Sequence, residues 1–227
     1  MSTKLFRPFL VLGLFFLSLS AFSQRSLRSY ELAGFAGSST MAGNFASNNS
    51  LNTALAEASM QAGVGFTYFH GPRFGWGTEA RLGRVFADNA NHQNVGYTGI
   101  QAQSDYVQLQ AQGTLNLVKY GKYYKRNSHT PYIRPGVGIL FSQSKYMEDI
   151  PYPSSATVHP GTNPSLTYGM EIGWKFRLSE YQTFSVEYSW NSVPGDRLEG
   201  FSIPDDTTPD QLTGLRFRYA YAIYTWQ

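Results

Sequence analysis

Between Asp105 and Val118 the chain alternates strictly. Val107, Leu109, Ala111, Gly113, Leu115 and Leu117 occupy the odd positions, and Tyr106, Gln108, Gln110, Gln112, Thr114 and Asn116 the even ones. A period of two over a dozen residues predicts a β-strand with one apolar and one polar face. The pattern recurs in Ala58–Tyr68, Phe74–Gly83, Ile133–Ser142, Thr167–Arg177, Phe184–Asn191 and Gly214–Ile223, with a weaker first segment at Tyr30–Gly37. Eight strands are predicted. Several are about as long as the 9–11 tilted residues that cross a bilayer.

The links between them alternate in length. His70–Arg73 and Ser179–Gln182 are short, and Lys119–His129 is intermediate. The segments 38–57, 87–103, 145–163 and 192–211 are long. Short turns alternating with long loops predict an all-β, eight-stranded antiparallel up-and-down transmembrane barrel. Its turns and both termini are periplasmic and its long loops extracellular. The competing architecture is a soluble barrel of lipocalin type, which turns its apolar face inward. The polar face favours the membrane barrel, because it is crowded with Gly, a poor residue for a solvent-facing strand. Phe74, Trp76, Trp174, Phe176, Tyr188 and Trp190 lie toward the strand ends of the apolar face, as an interfacial girdle would.

Met1–Ser23 reads as a secretory signal peptide. Lys4 and Arg7 form its basic start, Phe9–Leu19 its apolar stretch and Ala21-Phe22-Ser23 its small-residue cleavage site. The domains are then 1–23, signal peptide, and 24–227, outer-membrane barrel. The expected location is the cell outer membrane, with outer-membrane lipid as the surrounding partner.

Composition narrows the chemistry. Charged residues are 15%, aromatics 16%, Gly 22 and Cys 0 in a chain of 227 residues. The absence of cysteine excludes disulfides, thiolate metal sites and thiol catalysis. A net charge of +3 offers no basic surface for nucleic acid, so no nucleic-acid partner is expected. No nucleophile elbow, zinc-protease motif or phosphate loop occurs, and no cofactor is expected. His92, His159 and Asp88 fall in long loops, and His70 and His129 in short turns, with no motif bringing a nucleophile to a base. The acids Asp196, Glu199, Asp205, Asp206 and Asp210 lack calcium-loop spacing and read as solubilising charge.

Two groups of residues, one charged and one mixing basic residues with tyrosines, are candidates for function. The polar strand faces carry Glu31, Glu79, Glu171 and Glu187 with Arg81, Arg134, Lys175, Arg177, Arg216 and Arg218. Eight strands enclose a space just wide enough for side chains, so these ten are expected to pair into an ion-pair plug. The competing reading is a selectivity path or proton relay. The second group is Lys119, Lys122, Tyr123, Tyr124, Lys125 and Arg126 in one periplasmic turn. It serves either as headgroup anchor or as a docking patch for a periplasmic protein.

Ser29–Phe45 (SYELAGFAGSSTMAGNF), Pro131–Leu140 (PYIRPGVGIL) and Glu171–Trp190 (EIGWKFRLSEYQTFSVEYSW) resemble the small outer-membrane β-barrel proteins of Bacteroidota. That group includes PorG, a barrel associated with the type IX secretion machinery. The resemblance covers nearly all of the chain beyond the signal. It implies a non-enzymatic component that docks periplasmic secretion-machinery proteins, with no catalytic residues. The alternatives are a structural or adhesive barrel with ligand-binding extracellular loops, and a lipid A-modifying enzyme.

Overall fold

The computed structural model describes residues 28–42, 51–88, 101–145, 157–158, 162–194, 198, 201–202 and 209–225. The signal-peptide segment, His92, His159 and the loop acids 196, 199, 205 and 206 lie outside them. Eight strands, β1 (Arg28–Ala42), β2 (Ser59–Phe69), β3 (Phe74–Asp88), β4 (Gln101–Asn116), β5 (His129–Lys145), β6 (Thr162–Arg177), β7 (Gln182–Val193) and β8 (Asp210–Thr225), form one closed barrel. Each pairs antiparallel with its neighbours in sequence, and β1 closes on β8 from Arg28↔Thr225 to Ala42↔Gln211. A separate two-stranded ladder joins Thr157–Val158 to Phe201–Ser202.

The face that meets the surroundings is apolar, which decides between the two barrel types. Met60 is 80% exposed, Leu166 66%, Leu32 63% and Val64 60%. So continuous an apolar surface suits lipid and not water. Its aromatics meet laterally near the short-turn end, with Tyr30 and Tyr68 rings 5.2 Å apart, Tyr68 and Trp76 5.6 Å, and Tyr181 and Tyr221 6.0 Å. At the long-loop end an exposed ion pair, Arg84 Nε to Asp105 Oδ1 at 2.7 Å, stands on the outer face. It marks where that face passes from hydrocarbon to polar surroundings.

The strands outrun their alternation. β3 continues to Asp88 and β4 begins at Gln101, so the second long link is shorter than the pattern suggests. β1 covers 15 residues because it pairs along its length on both sides, although its own pattern is weak. The weakness has a cause: Ala33, Phe35 and Met41 point inward and are buried, while Leu32 points outward. One element was not expected, the short helix α1 (Leu51–Ala56) within the first long connection. Its turn is continued by the Glu57 N–H, which donates to the Thr53 carbonyl at 3.0 Å.

The interior glycines have a specific use. Phe35, Phe69, Tyr106 and Tyr132 face the lumen, and each lies directly opposite a glycine on the next strand: Gly63, Gly75, Gly83 and Gly173. A Cβ built on Gly173 would stand 2.5 Å from the Tyr132 ring, and one on Gly63 2.3 Å from the Phe35 ring. Contacts that short do not occur between real atoms, so each glycine makes the space its aromatic fills.

Candidate functional site

Inward-facing positions at the middle of the strands deliver seven charged side chains to one place. β3 supplies Glu79 and Arg81, β5 Arg134, β6 Glu171, β7 Glu187, and β8 Arg216 and Arg218, none more than 4% exposed. Two-residue spacing within β3 and β8 puts both members of each pair on the inner face. Arg81 Nη2 donates to Glu79 Oε1 and Glu171 Oε1, both at 2.8 Å. Arg216 Nη1 reaches Glu79 Oε1 at 2.7 Å, and its Nη2 lies 2.6 Å from both Glu171 Oε2 and Glu187 Oε2. Arg134 Nη1 donates to Glu171 Oε2 at 3.0 Å and to Glu187 Oε1 at 3.4 Å. Arg218 donates to both Glu79 and Glu187. The Tyr132 hydroxyl also donates to Glu187.

Every carboxylate therefore meets at least two guanidiniums. Charges taken from water are tolerable in such a place when pairing is dense and extra hydrogen bonds use their remaining capacity. The Phe35 ring supports the guanidiniums of Arg216 and Arg218, whose central carbons lie 4.5 and 4.8 Å from its centroid. Phe35 escaped the sequence reading because an inward aromatic breaks the very alternation that reveals a strand. A signal was present in Gly63, an otherwise unexplained glycine on the polar face of β2.

Two expected members stand apart from this cluster. Lys175 Nζ pairs with Glu31 Oε2 at 3.0 Å, a separate bridge, and lies over the Phe69 and Tyr132 rings. Arg177 departs further from the expected acid–base plug. Its Nη2 donates to the carbonyls of Gly121 (2.6 Å) and Tyr124 (3.3 Å), and its guanidinium lies over the Tyr120 ring. It fastens the β4–β5 turn because β6 ends beside that turn, where carbonyls and not carboxylates are within reach.

The long-loop end has its own closure. Leu198 is fully buried. Its N–H donates to Asp210 Oδ2 at 2.8 Å, and its carbonyl accepts from the hydroxyls of Ser104 and Ser144, on β4 and β5. One residue of the fourth long connection is thus pinned across the mouth. Nothing in the local sequence signals this. With charges crossing the middle and Leu198 at the mouth, the purified protein in planar bilayers is expected to show no steady open channel. A stable, large conductance would refute a filled lumen and make Arg216 and Arg218 pore-lining groups.

The β4–β5 turn is ordered by side chains from other elements. Tyr120 is buried, the Lys122 N–H donates to the Tyr224 hydroxyl at 3.1 Å, and Asn127 Nδ2 donates to the Lys119 carbonyl at 2.9 Å. Gly121 sits at φ 126°, a backbone region open mainly to glycine. Lys122 Nζ and Lys125 Nζ reach Glu180 on the β6–β7 turn at 3.6 and 3.2 Å. The hydrogen bond from Lys125, then its charge, holds the Glu180 carboxyl below its ordinary range, and the bond to Tyr181 raises Lys122. Tyr123, Lys125, Lys119 and Arg126 face outward, and Tyr124 is half-buried.

The His129 ring lies tilted against that of Trp174, with centroids 5.8 Å apart. Asp88 accepts from Gln101 Nε2 at 2.8 Å. Among the described residues no cluster of three or more His, Asp or Glu is arranged to hold a metal ion, and no helix is long and apolar enough to cross a membrane.

A closed barrel of eight antiparallel strands with an apolar exterior and a polar, charge-paired interior is a small outer-membrane β-barrel. Its short turns are periplasmic, and the protein resides in the bacterial outer membrane. The chain belongs to the family described as Domain of unknown function (DUF6089), whose profile matches residues 8–221. Among solved structures it is similar to Neisserial surface protein A, at 8% identity over 85% of this chain and 96% of that one, with a TM-score of 0.52. It is also similar to a major outer membrane protein from Thermus thermophilus, at 14% identity over 86% of this chain and 99% of that one, with a TM-score of 0.50. At such identities the likeness is one of fold. No curated protein matches in sequence.

Proposed function

We infer that the protein is a non-enzymatic outer-membrane component of a secretion or assembly machinery, of the PorG-like type IX kind, and that it docks periplasmic proteins through the β4–β5 turn. The observation that supports this reading is the rigidity of that turn. Arg177, Tyr224 and Glu180, from three other parts of the chain, hold its backbone and its lysines in place. Headgroup anchoring needs positive charge and amphipathic rings but no fixed shape. Docking gains from a surface ordered before the partner arrives.

The arrangement also assigns different tasks within the patch. Lys122 and Lys125 are engaged with Glu180 and act within the platform, whereas Lys119 and Arg126 make no ion pair among the described residues. Tyr123 and Tyr124 are the aromatic contacts, the residue type that carries most of the energy at interfaces.

Replacing Tyr123 and Tyr124 together by Ala should leave the barrel folded and heat-modifiable on gels, yet reduce recovery of periplasmic ring proteins from detergent-extracted membranes. Lys119→Glu with Arg126→Glu should slow association while leaving the fold intact, because exposed charge acts mainly on encounter. Normal insertion of both variants with an unchanged set of co-purifying proteins would reduce the turn to an anchor. For a variant that inserts poorly, photo-crosslinking from position 123 in the otherwise wild-type chain decides.

A further inference from the structure

The central cluster holds unequal numbers of charges. Arg81, Arg134, Arg216 and Arg218 face Glu79, Glu171 and Glu187, all at least nine-tenths buried. The neighbouring bridge does not correct the surplus, since Lys175 and Glu31 cancel one another. The two other buried acids, Glu57 and Asp210, lie at the long-loop end, where they accept from the N–H groups of Asp88 and Leu198. Among the described residues, one positive charge at the middle of the lumen has no local counter-charge, and an uncompensated charge away from water is strongly disfavoured.

A second observation falls at the same place. Arg81 and Arg216 bridge the same two carboxylates, Glu79 and Glu171. Arg81 does so through Nη2 alone. Its Nε and Nη1 are buried without a partner among the described residues, as is Arg216 Nε. Buried guanidinium N–H groups are donors only and are rarely left unused. Opposite Arg81 on β4 stands Gln108, whose Oε1 also lacks a partner there, while its Nε2 donates to Thr167. A water between Arg81 and Gln108 would satisfy the amide oxygen but leave the charge uncorrected. On the other side, the space beside Gly63 is taken by the Phe35 ring.

We propose that the lumen contains a binding site for one small monovalent inorganic anion, a halide, seated on the unpartnered N–H groups of Arg81. One such ion equalises the cluster and uses the free donors. A divalent oxyanion would reverse the imbalance instead of removing it. The ion is a structural constituent, enclosed by the paired charges and by Leu198 at the mouth.

The test compares the full-length protein, folded in detergent, in sodium chloride and in sodium isethionate at matched ionic strength. Unfolding in hot SDS, read by gel mobility, should be about tenfold slower in chloride, because a ligand bound by the folded state alone stabilises it. Arg81→Gln leaves three positive and three negative groups, and its unfolding rate should be the same in both salts. Crystals of the wild type grown in sodium bromide should show an anomalous peak in contact with Arg81. Equal rates for the wild type in the two salts, or only water beside Arg81 in the bromide crystals, would overturn the proposal. If Arg81→Gln does not fold, the two wild-type measurements decide.

Discussion

Glu187→Ala is expected to lower the stability of the folded barrel by about 3–5 kcal/mol, the cost of breaking a buried ionic network by deleting one partner. Glu187 accepts from Arg134, Arg216, Arg218 and the Tyr132 hydroxyl. Its loss takes the acceptor from Arg218 Nε and the Tyr132 hydroxyl, while Arg134 Nη1 and Arg216 Nη2 keep Glu171. Removing it raises the positive surplus and leaves Tyr132 facing guanidiniums with no acceptor. Glu187→Gln keeps the shape and an acceptor oxygen for Tyr132, and should be milder than the alanine variant while still losing the charge-assisted bonds. Equilibrium urea unfolding in lipid vesicles, followed by tryptophan fluorescence, measures both. A loss below about 1 kcal/mol for Glu187→Ala would mean that the lumen is wet enough to solvate the arginines and that the cluster is not what holds the barrel's interior together.

The opposite face supplies the second large effect. Val64 lies at the middle of β2, points outward, is 60% exposed and faces Gly34 and Ala80 across the neighbouring strands. Val64→Arg should cost about 2–4 kcal/mol in a bilayer, the penalty for arginine on the lipid face near the midplane. Ala111→Arg, two strands away on the same face, should behave alike. Val64→Leu is the control for bulk and should fold as the wild type does. The readout is the folded fraction in vesicles as urea is titrated. Folding of both arginine variants at wild-type stability would place these positions away from hydrocarbon and undo the assignment of the outer face.

The sequence disclosed most where the two environments differ most. Along β4 every inward residue from Tyr106 to Asn116 is polar-tipped and the outward residues are apolar or glycine, so a period of two stands out and reveals both the strand and its orientation. β1 concealed itself because Phe35 and Ala33 are inside with Glu31, leaving little contrast between faces. Membership of the charged interior could be read position by position from the polar faces. The pairing could not, because it depends on register and on distances across a closed lumen. Glu187 meets Arg216 from the adjoining strand, but Arg81 meets Glu171 across 90 positions of sequence. Arg177 showed the same limit: an inward base at a strand end looks like its fellows until the turn beside it is folded. The six-residue helix α1 carries too few turns for a periodic signal, and the burial of Leu198 depends wholly on a long-range fit to Asp210, Ser104 and Ser144.

The β1–β8 seam bears on how the protein reaches its membrane. The Leu215 N–H donates to the Ser38 hydroxyl from 177 positions further along the chain, and the junction is paired from Arg28 at one end to Ala42 at the other. A partly assembled sheet would present two raw edges whose backbone groups find no water in hydrocarbon. The last strand must therefore have crossed the inner membrane before the first can be fully sheathed, and insertion cannot run to completion strand by strand as export proceeds. The whole polypeptide has to stay unfolded until it reaches the outer membrane, and zipping the first strand to the last is the event that turns cargo into a membrane protein.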